Sequence, residues 1–116
     1  MEPKPNHRRI DYLEFPATGI AATRAFYERV FGWKFTDYGP DYTSFEDGRL
    51  AGGFWKAASV IRGGVLVVVY ATDLAAMEAD VVAAGGVIVK PPFPFPGGRR
   101  FHFTDPNGNE LAVWSE

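Results

Sequence analysis

The sequence predicts an α+β fold in which two helices cover one side of a curved, mostly antiparallel sheet and leave its other side concave. The main observation is an internal repeat. A shift of 54 positions lays residues 16–35 (PATGIAATRAFYERVFGWKF) on residues 70–89 (YATDLAAMEADVVAAGGVIV), with matching alanine, threonine and glycine positions. In both copies, apolar residues spaced three and four positions apart, as in a helix, are followed by short apolar runs and by apolar–polar alternation, as in strands. We therefore expect the order strand, helix, three strands to occur twice.

The first copy begins with the strand YLEFP and continues into an amphipathic helix. Thr18 is the expected N-cap, because its side chain can accept a hydrogen bond from the free N–H groups of the first turn. Gly32 is expected to end the helix in the left-handed conformation. The stretch AFYERVFGW, Ala25–Trp33, has two interpretations: a surface for a ring-shaped ligand, or the buried side of the helix. The helical spacing of its aromatic residues favours the buried side.

The second copy repeats these signals. The apolar run from Val65 to Ala71 is too short to cross a bilayer and is predicted to be a buried strand. Thr72 with Asp73 is expected to begin the second helix, and Gly86 is expected to end it. Further strands are predicted from alternation and turn residues at Lys34–Tyr38, Tyr42–Glu46, Leu50–Trp55, Val87–Lys90, Arg99–Thr104 and Glu110–Trp114.

The chain is interpreted as one domain, residues 9–116, that follows a flexible tail, residues 1–8. Two prolines within the first five residues favour an extended tail. The first module is predicted at residues 9–55 and the second at residues 65–116. Residues 56–64 (KAASVIRGG) form the expected linker, because the hydrophobic pattern lapses there and two glycines precede the next strand.

The composition excludes several classes of protein. With no cysteine, the chain has neither disulfides nor thiolate metal sites. The net charge of -2 gives no basic surface for nucleic acid, so a small, roughly neutral molecule is the expected partner. No apolar run approaches the ~20 residues that span a bilayer, and the N-terminus lacks the apolar core of a secretory signal. The expected location is the cytoplasm, with no membrane partner.

Three segments together resemble a known family: YLEFPATG and AFYERVFGW within Tyr12–Trp33, LAGGFW at Leu50–Trp55, and FHFTDPNGNELAVW at Phe101–Trp114. They are similar to the vicinal oxygen chelate superfamily, which includes glyoxalase I, extradiol dioxygenases, methylmalonyl-CoA epimerase and the bleomycin and fosfomycin resistance proteins. The resemblance covers nearly the whole chain after residue 9. It implies two βαβββ modules in a curved, partly closed mixed sheet with the helices on the outer side, and a homodimer. It names no substrate, because the superfamily reuses one scaffold for unrelated chemistry.

The resemblance also implies where the metal-using members hold a divalent ion, namely on the first and last strands of each module. The matching positions here are Tyr12, Leu66, Ala112 and either Ala51 or Gly52. The apolar residues cannot ligate an ion, and a phenol is a poor ligand for the ions that the family favours. We therefore expect no metal ion at the usual site and no other cofactor.

Strand alternation is compatible with a metal site at a different position. It puts Glu14 beside Tyr12 on one face of the first strand, and His102 beside Arg100 on one face of a later strand. If these faces are concave, Glu14, His102 and Glu110 would converge and supply oxygen and nitrogen ligands. The alternative is that the two carboxylates are ordinary surface groups.

Glu14 and His102 are also the candidate catalytic residues. A carboxylate in an apolar strand can act as a general base, and imidazole is the side chain that titrates near neutral pH. The structural alternatives are a solvated Glu14, or one paired with Arg100, and a hydrogen-bonded cross-strand His102. The candidate ligand-binding residues are aromatic side chains that would stack on a planar ligand, together with one arginine: Tyr12, Tyr42, Trp55, Arg100 and Trp114.

Two loop-like segments have more than one interpretation. DPNG, Asp105–Gly108, lies near the expected pocket rim, but its residue types favour a structural turn. PPFPFPGG, Pro91–Gly98, is predicted to be a loop or an edge strand, because proline removes donors from a ladder. Three interpretations of its role stay open: a pocket lid, a dimer contact, or a connection without a further role.

Three functions remain open. The first is a metal-free protein that binds a small apolar or planar molecule in the concave sheet face. The second is a glyoxalase-like or dioxygenase-like enzyme in which a divalent metal, or Glu14 with His102, transfers a proton next to a carbonyl. The third is an interaction subunit without a ligand, since Pro91–Pro96 carries exposed-looking apolar residues.

Overall fold

The computed structural model describes Pro5 and residues 7–116 of the chain, so most of the predicted tail lies outside the described residues. The order strand, helix, three strands occurs twice, which confirms the α+β fold with two βαβββ modules. The elements are β1 (Tyr12–Ala17), α1 (Ile20–Phe31), β2 (Lys34–Asp37), β3 (Tyr42–Glu46), β4 (Ala51–Lys56), β5 (Val67–Tyr70), α2 (Leu74–Ala83), β6 (Val87–Phe95), β7 (Gly98–Thr104) and β8 (Glu110–Ser115).

The strands form two four-stranded sheets, with the orders β1-β4-β3-β2 and β5-β8-β7-β6. We call them sheet one and sheet two. The pairs β1–β4 and β5–β8 are parallel, and the other pairs are antiparallel. β1 and β5 are edge strands, and no ladder joins the two sheets within the described residues. The predicted mixed sheet is thus built from two halves and is not a closed barrel.

The aromatic stretch of α1 lies in the core, which confirms its interpretation as the buried side of the helix. Phe26 is 2% exposed and Tyr27 is fully buried. The Tyr27 ring stacks on Trp33, with 4.9 Å between the ring centroids and 11° between the planes. Phe103 of β7 lies 6.1 Å from Phe26, so α1 of the first module also packs on sheet two.

The two helices begin differently, and the predicted N-cap at Thr18 is wrong. The N-cap of α1 is Gly19, which has no side chain to offer. Instead, the Asn107 Oδ1 atom accepts hydrogen bonds from the backbone N–H groups of Thr18 at 2.9 Å and Gly19 at 3.3 Å. At α2 the predicted cap Asp73 is confirmed, because its carboxylate accepts from the Ala76 N–H at 3.0 Å. A distant side chain therefore binds the backbone at the start of α1.

Glycines follow both helices, but only one has the predicted role. Gly32 ends α1 with a φ of 70°, as expected. After α2 the positive φ, 99°, occurs at Gly85 instead of Gly86. A Cβ at Gly86 would lie 2.6 Å from a Val81 methyl carbon, so this glycine is required by close packing under α2.

The edge strand β5 differs from its prediction, whereas the edge strand β6 agrees with one. β5 was predicted to be buried, yet Val65 before it is 88% exposed and Val68 is 42% exposed. A strand at a sheet edge with one uncovered face leaves alternate side chains in solvent. β6 extends to Phe95 and includes most of PPFPFPGG, which confirms the edge-strand interpretation of that segment.

The connection between the modules runs from residue 57 to residue 66, close to the predicted linker at residues 56–64. Lys56 is the last residue of β4. The division into a tail and a single domain stays a prediction. Within the part of the chain that the structure describes, no helix is long and apolar enough to cross a membrane.

Candidate functional site

Alternation along the strands divides each sheet into two faces. The helix-facing sides are buried and carry Phe45 and Phe54 in sheet one and Phe101, Phe103, Leu111 and Val113 in sheet two. We call the opposite sides the open faces. The predicted site residues lie on the open faces, with Tyr12, Glu14, Tyr42 and Trp55 on sheet one and Arg100, His102 and Trp114 on sheet two. The structure therefore groups these residues by face as the alternation predicted.

On sheet one, three predicted residues form a hydrogen-bonded cluster. The Tyr42 hydroxyl donates to Glu14 Oε2 at 2.9 Å. The hydroxyl oxygens of Tyr12 and Tyr42 lie 2.6 Å apart. Because the single Tyr42 proton is used on Glu14, Tyr12 is the donor in that pair. Gly53 lies directly opposite Glu14, and a Cβ there would overlap the Tyr42 hydroxyl. The glycine thus leaves the space in which the tyrosine reaches the carboxylate.

This cluster keeps Tyr42 protonated. Burial raises the pKa of the Tyr42 phenol well above its ordinary value of 10.0, and the hydrogen bonds with Tyr12 and Glu14 raise it further. A phenol with a raised pKa stays neutral at physiological pH and continues to donate. The Glu14 carboxylate therefore keeps the Tyr42 hydroxyl as a hydrogen-bond donor. Trp55 lies directly opposite Tyr42 in the β3–β4 ladder.

On sheet two, His102 is held by Glu110, and not by Glu14, with which it was paired as a candidate catalytic residue. His102 is 3% exposed, and its Nδ1 atom lies 2.9 Å from Glu110 Oε2. The other Glu110 oxygen lies 3.6 Å from Arg62 Nε of the linker. Glu14 instead bonds to Tyr42, so the two candidate catalytic residues belong to separate networks. The arrangement orients the His102 imidazole.

Also on the open face of sheet two, one arginine and four aromatic side chains lie next to one another: Arg100, Phe93, Phe95, Trp114 and Tyr70. The Arg100 guanidinium carbon lies 5.3 Å from the Phe93 ring centroid and 5.8 Å from that of Phe95. The Trp114 ring lies 6.1 Å from Phe95 and 5.0 Å from Tyr70, both edge to face. This group combines ring surfaces with a cation, as a site for a planar ligand requires.

The residues at the family's metal positions do not fit an ion. Ala112 is fully buried and apolar, and the Tyr12 hydroxyl is bonded to Tyr42. Among Pro5 and residues 7–116, no three His, Cys, Asp or Glu side chains lie close enough to hold a metal ion. Glu14, His102 and Glu110 therefore do not converge within one chain.

Two cavities lie beside the sheets, and the larger one is lined mainly by side chains of the helix-facing sides. The larger, of about 1170 Å³, is lined by Leu13 and Phe15 of β1, by Val67 and Val69 of β5, and by Trp114. The smaller, of about 200 Å³, is lined by the linker together with His102 and Glu110. The other five predicted residues line neither cavity. Sequence reasoning missed the larger cleft because alternation assigns residues to faces without showing which strand edges approach each other.

The DPNG segment is a turn, as predicted, and it supports the core instead of a site. Asp105 is 4% exposed and accepts the hydroxyl proton of Tyr27 at 2.8 Å. Its other oxygen accepts from the backbone N–H groups of Asn107 and Asn109, each at 2.9 Å. These bonds lie on the helix-facing side.

Comparisons with known proteins agree with this architecture. The model of the Glyoxalase/Bleomycin resistance protein/Dioxygenase superfamily matches residues 9–113. A comparison with curated proteins finds no match.

Solved structures share the fold at low sequence identity. A glyoxalase-related enzyme from Fulvimarina pelagi is 20% identical with a TM-score of 0.81, over 94% of this chain and 88% of that chain. The fosfomycin resistance protein FosX from Mesorhizobium loti is 16% identical with a TM-score of 0.80, over 94% and 92%. The lactoylglutathione lyase from Agrobacterium tumefaciens is 21% identical with a TM-score of 0.74, over 97% and 96%. Since the family model spans nearly the whole chain and both modules have the expected order of elements, this chain belongs to the Glyoxalase/Bleomycin resistance protein/Dioxygenase superfamily.

Proposed function

We propose that this chain binds a small apolar or planar molecule on the open faces of its sheets, without a metal ion. The observation that carries the proposal is a set of aromatic side chains that are left in solvent outside the core. Tyr12 is 41% exposed, Trp55 is 46% exposed and Tyr70 is 48% exposed. Ring surfaces that lie beside a few polar groups are the usual composition of a small-molecule site.

The polar groups of the open faces support the same proposal. Glu14 and Tyr42 form a rigid hydrogen-bonded pair on sheet one, and Arg100 lies against rings on sheet two. The metal positions of the family carry apolar residues and one tyrosine, which is a poor ligand for the ions that the family favours. Solved relatives with this fold include a protein named for fosfomycin resistance, so the fold occurs among proteins connected with small molecules.

A neutral fluorescent probe tests the proposal. N-phenyl-1-naphthylamine is an apolar aromatic amine that becomes bright in apolar surroundings, so its fluorescence measures binding directly. We expect Trp55→Leu and Trp114→Leu each to weaken its affinity by about twofold to tenfold, the loss of one ring contact. Val82→Ala is the control, because Val82 is 56% exposed and lies on α2, away from the open faces. A probe that does not bind, or that binds all three variants equally, would refute the proposal.

An enzyme is the second candidate, and the His102–Glu110 pair favours it. A carboxylate on Nδ1 holds an imidazole in one orientation, as proton transfer requires. Such an enzyme would exchange the proton next to the carbonyl of dihydroxyacetone for solvent deuterium, which proton NMR detects. We expect the exchange to be lost in His102→Gln and kept in His7→Gln. Exchange at equal rates in both variants would exclude His102 as the base.

The homodimer, the cytoplasmic location and the ligand-free interaction subunit stay predictions. The half-exposed Val68 and Tyr70 of the edge strand β5 support a homodimer, which sedimentation velocity tests directly.

A further inference from the structure

Two buried nitrogen atoms have no hydrogen-bond partner among Pro5 and residues 7–116. They are Arg100 Nε and His102 Nε2. Both side chains project from β7 onto the open face of sheet two, because their positions differ by two. A buried polar nitrogen without a partner is costly, and native proteins leave few of them. Two such atoms side by side therefore indicate a group that is recognised by both.

One aromatic side chain lies against both groups. Phe93 of β6 lies opposite Arg100 in the ladder, and the guanidinium carbon is 5.3 Å from its ring centroid. The same ring lies 5.8 Å from the His102 imidazole. Phe93 thus lies against both side chains, and the linker lies over His102 as well, across the smaller cavity.

The strand that carries Phe93 pairs irregularly with its neighbour. β6 is an edge strand, and its pairing with β7 shifts register between Ile88 and Lys90 and again between Lys90 and Phe93. Pro91, Pro92 and Pro94 have no N–H to donate to a ladder. This part of β6 therefore has fewer ladder hydrogen bonds than a regular strand of the same length, and a local shift of the strand would carry Phe93 with it.

The charge under Phe93 is positive. Arg100 forms no ion pair within the described part of the chain, where the cations Arg24 and Arg62 and the His102 imidazole have carboxylate partners. The Glu110 carboxylate only accepts, so its bond requires a proton on His102 Nδ1. When Nε2 also carries a proton, both orphaned nitrogen atoms are donors and both groups are cationic.

We propose that Arg100 and His102 bind the oxyanion of an aromatic or planar organic acid, a carboxylate or a phosphate, and that Phe93 moves aside to admit it. The inference rests on the proposed function, because it names the chemical class of ligand for the same open face. Phe95 and Trp114 supply ring surface for the apolar part of the ligand. An arginine whose guanidinium lies against rings keeps its outer N–H groups directed at an oxyanion.

Three naphthalene probes test the inference by isothermal titration calorimetry. 1-Naphthoate and 1-naphthyl phosphate carry the anion, and 1-naphthamide carries the same ring without charge. We expect at least one of the two anions to bind the wild-type protein about tenfold more tightly than the amide. Arg100→Gln removes this preference. Arg99→Gln retains it, because it removes the same charge one residue earlier on the same strand, from the opposite face.

A measurement on the unmodified chain keeps the test independent of the folding of the variants. In nitrogen-15 NMR spectra, the Nε of Arg100 and the Nε2 of His102 should shift on addition of the anion that binds more tightly, and should stay unchanged with 1-naphthamide. Equal affinity of the wild-type protein for all three probes, or a preference that survives in Arg100→Gln, would overturn the inference alone. If N-phenyl-1-naphthylamine and all three naphthalene probes fail to bind, the proposed function falls with it.

Discussion

We expect Asp105→Ala to lower the free energy of unfolding by about 3–5 kcal/mol, because it leaves three buried donors without their acceptor. The donors are the Tyr27 hydroxyl at 2.8 Å and the backbone N–H groups of Asn107 and Asn109, each at 2.9 Å. Tyr27 is fully buried, so water does not replace the carboxylate. Burial, and then the charge of Asp105, raises the pKa of Tyr27 well above its ordinary value, which keeps the phenol a donor.

Urea unfolding followed by circular dichroism measures this loss. Asp47→Ala is the matched control, since Asp47 occupies the corresponding turn between β3 and β4 and accepts from the Arg49 and Leu50 N–H groups, but is exposed. It should cost about 0.5–1.5 kcal/mol, because water replaces the lost acceptor. Tyr27→Phe removes one of the three bonds and should fall between the two. If Asp105→Ala costs no more than Asp47→Ala, the turn does not support the core as described.

We expect Phe103→Ala to lower the free energy of unfolding by about 3–5 kcal/mol, the usual cost of deleting a buried aromatic side chain. Phe103 is fully buried, and its ring lies 6.1 Å from Phe26 and 6.2 Å from Phe31. Those two residues belong to α1 in the first module, whereas Phe103 belongs to β7 in the second. The substitution therefore weakens the contact through which the two modules share one core.

The same experiment tests the prediction of a single domain. Tryptophan fluorescence, from Trp33 and Trp55 in the first module and Trp114 in the second, and circular dichroism of the whole chain should report one coincident urea transition. Tyr38→Ala serves as the control, because Tyr38 is 64% exposed and its removal should cost less than about 0.5 kcal/mol. Two separate transitions in the wild-type protein would contradict a shared core, as would a Phe103→Ala variant as stable as Tyr38→Ala.

The helix content was predictable because it depends on residues close in sequence. The spacing of Phe26, Tyr27 and Val30 predicted which side of α1 is buried, and Gly32 predicted where it ends. The prediction failed at Thr18 because the hydrogen-bond acceptor at that helix start is Asn107, 89 positions away. No local pattern reports a contact at that separation.

The candidate site was also predictable only in part, because some of its features are local in sequence and others are not. That Tyr12 shares a face with Glu14, and Arg100 with His102, follows from the alternation of side chains along a strand, which is a property of the extended backbone. That Glu14 bonds to Tyr42, and His102 to Glu110, depends on the register between neighbouring strands. Packing sets that register, so it could not be derived from spacing along the chain.

The amino-acid pattern was sufficient to establish two βαβββ modules, their buried helix sides and the residues that share each strand face, because these depend on backbone geometry and on hydrophobic spacing over a few residues. Folding in three dimensions decided that β1 and β5 are edges, that a cleft is lined by both, and that Phe93 lies against Arg100 and His102. These features arise from contacts between distant segments. Such contacts are selected by the burial and hydrogen bonding of the whole chain together, and no short stretch of sequence contains them.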